Sequence, residues 1–175
     1  MTDLLSLMLK KNNNDALYLS AALIKVFFRE LVEPLCTWGF YKPLLGIARL
    51  TQTPPDVMNQ YYGYLVHLLP QPNLLFFKKL MQLLHLVQQH EEHNKMSSQN
   101  LAVVVAPSIC KQEHGDLMSE MTDIPDINKG FETIIQNAEV VLAPPSRPFF
   151  ACVSAKQKKD GGGLSAPPVK SGGGG

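Results

Sequence analysis

The chain has 175 residues, of which 45% are apolar and 18% charged, and it carries a net charge of +1. Arg147, Lys156, Lys158, Lys159 and Lys170 against Asp160 give residues 144–175 a net +4, which leaves residues 1–143 at −3. That length allows one domain with its own core plus a tail, and the acidic body with a weakly basic tail excludes the footprint of a nucleic-acid binder.

Three cysteines, Cys36, Cys110 and Cys152, stand far apart and in no paired motif. They point to a reducing compartment, with the thiols as packing residues, and so to a cytoplasmic protein. The opening MTDLLSLMLKK lacks the basic start and cleavage site of a secretory signal. No apolar run is long enough to span a bilayer.

Residues 2–11 are amphipathic and read as the last turns of a helix, followed by the polar break Asn12-Asn13-Asn14. From Asp15 to Leu35 the apolar residues Leu19, Leu23, Val26 or Phe27, and Leu31 recur at helical spacing. Leu17, Ile24 and Phe28 widen the stripe, which predicts a broad buried face. Asp15 is placed to cap this helix. Lys25 and Arg29 are four apart and project side by side, and Glu33-Pro34 is expected to end the helix.

A second helix is predicted over Thr37–Arg49, with Pro43 in its first turn. After a loop over Thr51–Pro55, Asp56 is expected to cap a helix running to Leu69, which Pro70-Gln71-Pro72 stops. Asn73 is expected to cap the next helix, to about His90, burying Phe76, Phe77, Leu80, Leu83, Leu84 and Val87. Glu91–Lys95 reads as a loop. Ser97 or Ser98 can cap SQNLAVVVAPSI, where three consecutive valines would also suit a strand. With no partner strand elsewhere in the sequence, it reads as a buried helix broken near Pro107. Residues 111–125 read as a polar loop, and Asn128–Leu142 returns to helical period. Pro144-Pro145 closes a folded body of residues 1–143, and residues 144–175, rich in proline, glycine and lysine, are expected to be disordered.

Three phrases narrow the function class. LIKVFFRELVEPL, LLPQPNLLFFKKLMQLLHLVQQH and NKMSSQNLAVVVAPSI resemble, in order and interval, motifs of the Rho GTPase-activating (RhoGAP) family. The likeness runs from about Leu4 to Leu142. Val32 departs from the family's usual proline, and Ala106-Pro107-Ser108 is a mild variant of its block. The resemblance implies an all-α, RhoGAP-like helical bundle that docks on the switch regions of a GTP-bound Rho-family small GTPase. Lys25 and Arg29 match the family's basic pair, Asn100 its groove asparagine and Pro107 the proline closing that block. Asn128 matches a further contact ahead of the last helix. GTP and Mg would belong to the partner, so no cofactor is expected, and the chain reads as an enzyme regulator in signal transduction rather than an enzyme.

One departure is large. The family's arginine finger lies in a loop upstream of the basic helix, and such a finger is worth about 10³–10⁵ in rate. Here fourteen residues precede Asp15 and none is arginine. The resemblance therefore implies a bundle missing its first helices, with no catalytic residue and weak stimulation. The alternatives are a non-catalytic GTPase-binding or scaffold module, or an incomplete piece of a larger RhoGAP protein. For the incomplete piece an uncovered apolar face is expected. Gly46-Ile47-Ala48-Arg49 looks like a finger phrase but follows the basic helix, so Arg49 is expected to be solvated. His90, His93 and His114 with Cys110 lack zinc-site spacing, and no metal site is expected.

Overall fold

A computed structural model describes residues 13–114 and 117–145. The chain divides into a unit of residues 1–144 and a unit of residues 145–175. The expectations for residues 2–11, Cys152 and the tail from Ser146 onward lie outside the described residues. Among the described residues the fold is all-α: α1 Asn13–Arg29, α2 Trp38–Ala48, α3 Pro55–His67, α4 Gln71–Gln89, the short α5 Glu91–Asn94, α6 Ser98–Ile109, α7 Leu117–Gln136 and the short α8 Ala138–Val141. No helix among them is long and apolar enough to cross a membrane.

The core gathers around α7. Ile127, Phe131, Ile134 and Ile135 are buried at helical spacing, against Phe40 and Leu44 of α2, Tyr62 and Val66 of α3, and Phe77 and Met81 of α4. Phe77 links Phe40 and Phe131 through tilted ring contacts at centroid separations of 5.9 and 6.4 Å. Helix α6 joins with Leu101, Ala102, Ala106 and Ile109, and it packs on both α7 and α1. Cys36 and Cys110 are buried thiols, and burial, reinforced by a hydrogen bond to Cys110, pushes the Cys36 thiol well up.

The predicted elements recur, but several boundaries and faces move. Helix α1 ends at Arg29, short of Glu33-Pro34, because the chain turns there to deliver Leu35 and Cys36 into the core. Among residues 18–29 of α1 only Phe28 is buried; Leu19, Leu23, Ile24, Val26 and Phe27 are exposed. The broad buried face expected from spacing is therefore a narrow one, since the rest of the fold meets α1 along a single edge. Phe76 and Leu83, expected inside, are exposed on α4 for the same reason.

Pro43 is the sixth residue of α2 rather than a first-turn residue, and α6 continues through Pro107 instead of breaking. Both prolines are exposed, as are Gly39 and Val103 four residues earlier, so the carbonyl each deprives of a partner can turn to water. Pro54 and Pro70, not Asp56 and Asn73, occupy the N-cap positions of α3 and α4. Asn73 instead donates its amide Nδ2–H to the Leu35 carbonyl at 2.9 Å, tying α4 to the segment after α1. Glu91–Asn94 forms one helical turn, ended by Lys95 at φ 57°. Most of the predicted loop 111–125 is helix: α7 starts at Leu117 and passes through exposed Pro125. Within its first turns Asp123 is buried against polar partners, as the Arg49 contacts below show, while most of its neighbours there are exposed.

Candidate docking surface

Helix α1 offers Lys25, half-buried, and Arg29, exposed, one turn apart beside the buried Phe28. Lysine and arginine at this spacing face one way and present a doubled positive charge to an acidic or phosphorylated partner. The carbonyl of Arg29, at the end of the helix, accepts a hydrogen bond from Lys111 Nζ at 3.0 Å. The backbone N–H of Cys36 donates to the Ile109 carbonyl, also at 3.0 Å. These two bonds fix the end of α1 against the end of α6.

Helix α6 is two-sided. Leu101, Ala102, Ala106 and Ile109 are buried, while Asn100, Val103, Val104 and Pro107 are exposed at the i, i+3, i+4, i+7 positions of one face. Lys111 lies two residues beyond the end of the helix, after Cys110, whose backbone is extended. Ser97 caps the helix, its hydroxyl oxygen accepting from the Asn100 N–H at 3.1 Å. The Asn100 side-chain amide donates to the Lys95 carbonyl at 3.2 Å, holding the left-handed turn that feeds the helix.

Between α2, α6 and α7 lies a cavity of about 300 Å³, whose walls include Tyr41, Pro107, Cys110, Lys111, Glu120 and Asn128. Asn128 lies inside α7, not ahead of it, because α7 begins eleven residues earlier than the sequence suggests. Pro107 and Asn128 share this cavity with Lys111, and Lys111 reaches Arg29. Asn100 stands apart, seven residues up α6 from Pro107, or about 10 Å at 1.5 Å per residue.

Arg49 is exposed as expected, its side chain 48% accessible, but it is also paired. Its Nε donates to Asp126 Oδ2 and its Nη2 to Asp123 Oδ1, both at 2.7 Å. Asp123 is only 8% exposed and also accepts from the Tyr41 hydroxyl at 3.4 Å. A nearly buried carboxylate needs such partners, so Arg49 serves the α2–α7 contact. The same site pushes the Tyr41 phenol up to about 12, mainly through burial and then through the Asp123 charge. Spacing alone did not reveal Lys111 or the Arg49 pair, since each contact joins residues more than seventy positions apart. The row Asn100, Val103, Val104, Pro107 was readable as one helical face once α6 was carried through its proline.

The RhoGAP domain family is matched over residues 5–114, more than half of the chain. Rho GTPase-activating protein gacY of Dictyostelium discoideum is 31% identical over 122 residues, which cover 70% of this chain and 17% of that protein. Rho GTPase-activating protein 21 of Mus musculus is 33% identical over 117 residues, 67% of this chain and 6% of its own length. The chain thus spans under a fifth of the length of these two relatives. Among solved structures, the BH domain of Graf, the GTPase regulator associated with focal adhesion kinase, superposes with a TM-score of 0.60 at 26% identity, covering 70% of this chain and 64% of that one. Human Rho GTPase activating protein 15 gives 0.59 at 25% identity, covering 67% of this chain and 54% of that one. With the all-helical fold, the three motif phrases and the family match in one register, the chain belongs to the RhoGAP domain family.

Proposed function

We propose that this chain docks on the switch regions of a GTP-loaded Rho-family GTPase and regulates that protein, with no substrate of its own. The observation that carries the reading is the convergence of Arg29, Pro107 and Asn128 around Lys111 at one end of the α1–α6 pair, in a chain of the RhoGAP family. Lys25 and Arg29 supply charge, and Val103, Val104 and Pro107 supply exposed apolar contact beside it. Such a surface holds and orients a partner, and positioning accelerates a reaction only modestly unless a charge is also delivered to the transferring phosphoryl group.

Stimulation of GTP hydrolysis by this chain is accordingly weak. Arg49, whose local sequence looks like a finger phrase, is engaged by two aspartates. GTP and Mg belong to the partner, and the chain contributes no cofactor. The Arg49 contacts also favour a second reading, a docking module that holds the GTPase without accelerating it.

The test is a single-turnover hydrolysis assay with a GTP-loaded Rho-type protein, run beside a pull-down of its GTP and GDP forms. Selective capture of the GTP form, with stimulation at least about a hundredfold below that of a finger-bearing family member, is the expected result. Full-strength stimulation would overturn the weak-catalysis claim. Capture without any acceleration would favour the docking module.

A further inference from the structure

Helix α1 is the least anchored long element of the described fold, and that gives one contact unusual weight. Of its residues 18–29, only Phe28 is buried. Its last carbonyls have no partner within the helix, as at any helix end. One of them, that of Arg29, accepts from Lys111 Nζ at 3.0 Å across 82 positions of sequence. A cation at a helix C-terminus is also favoured by the partial negative charge there. Lys111 is half-buried on the cavity wall with Pro107 and Asn128, and among the described residues it forms no ion pair with a carboxylate.

We propose that Lys111 is a positioning residue of the docking surface, holding the last turn of α1 on α6 and so setting where Arg29 stands relative to Pro107 and Asn128. This rests on the docking reading above and deepens it. The lysine stem reaches out of the loop after α6, and its ammonium donates one proton to the Arg29 carbonyl. Its remaining N–H groups carry charge at the junction of the two patches. Lys111 therefore ties the patches together and adds a third cation to the pair on α1.

The test uses the full chain with Lys111→Met, which keeps the stem and removes the charge and donors, and Lys111→Arg, which keeps both. Amide hydrogen exchange reads the tie directly and needs no partner. Lys111→Met should speed exchange over residues 26–30 by about fivefold or more while leaving the core of α3 and α4 unchanged, and Lys111→Arg should stay near wild type. Unchanged exchange in Lys111→Met overturns the proposal. Binding to a Rho-type GTPase loaded with a non-hydrolysable GTP analogue reads the consequence. Lys111→Met should weaken it about tenfold and flatten its dependence on salt, with Lys111→Arg restoring both. Faster exchange with unaltered binding would mean a purely structural tie and would also overturn the positioning role. If the wild-type chain bound no loaded GTPase, the docking reading would fall, and exchange alone would still decide whether Lys111 holds α1.

Discussion

Helices α1 and α7 carry similar patterns of apolar residues, yet the fold treats them in opposite ways. On α7 the pattern is consumed: Ile127, Phe131, Ile134 and Ile135 are all buried, and α7 packs against α2, α3, α4 and α6. On α1 it is left in view, with Leu23 56% and Phe27 57% exposed and only Phe28 inside. The polar residues are inverted as well. The acidic first turns of α7 look like solvent-facing loop, but Asp123 is nearly buried on Arg49 and Tyr41. The cations of α1 sit on what reads as a greasy core helix. Periodicity reports that a helix has two faces; the neighbours decide which one is covered.

The comparison breaks most sharply if the same substitution is made in both helices. Phe131→Ala should cost about 3–5 kcal/mol in chemical denaturation, because it empties a fully enclosed site. Phe27→Ala should cost about 0.5 kcal/mol or less, because more than half of that ring already meets water. Equal losses at the two sites would mean that α1 is packed as α7 is.

Glycines offer a finer version. A methyl group on Gly130 of α7 would lie 2.9 Å from Leu44 Cδ1 and 3.3 Å from its Cγ, and Leu44 is fully buried. Gly130→Ala should therefore lower stability by about 1 kcal/mol despite the gain in helix propensity. Gly46 of α2 has nothing within 4 Å of the added methyl, so Gly46→Ala should raise stability by about 0.5–1 kcal/mol. Thermal melts of the two variants should move in opposite directions.

The smallest effect is electrostatic. Burial moves the Tyr41 and Tyr62 phenols from an ordinary 10.0 up to about 12 in the folded chain, with a hydrogen bond to Thr133 offsetting part of the rise at Tyr62. The folded state keeps these protons longer than the unfolded state does. Stability from the neutral phenols is thus complete below pH 10 and is lost as pH rises through 12. Spectrophotometric titration should show the Tyr41 and Tyr62 phenols ionising late, together with alkaline unfolding. Ionisation of both near pH 10 with the fold intact would contradict this placement.

Much of this was legible in the sequence. The order and type of the long helices followed from apolar spacing, and the valine run Val103–Val105 resolves as helix because the fold offers it no strand to pair with. Proline was read too strictly. Pro43, Pro107 and Pro125 all lie within helices on exposed sides, where a carbonyl without a partner can be hydrated. For the candidate surface, the motif phrases supplied Lys25, Arg29, Asn100 and Pro107, and the wider resemblance supplied Asn128, but not their arrangement. That arrangement depends on Lys111 reaching Arg29 and on α7 beginning early enough to carry Asn128 into the cavity. Both are long-range contacts between unremarkable surface residues, which no local pattern announces.

As proposed above, the half-buried Lys25 and exposed Arg29 of α1 form a dock for a nucleotide-loaded switch protein. The most direct measurement is the dissociation constant for a Rho-type GTPase in its GTP-analogue and GDP forms, for the wild-type chain and for Lys25→Ala combined with Arg29→Ala. The account predicts that the wild type prefers the GTP-analogue form by about tenfold or more and that the double substitution abolishes the preference without lowering thermal stability. Equal affinity for the two nucleotide states, or a preference that survives loss of both cations, would contradict it.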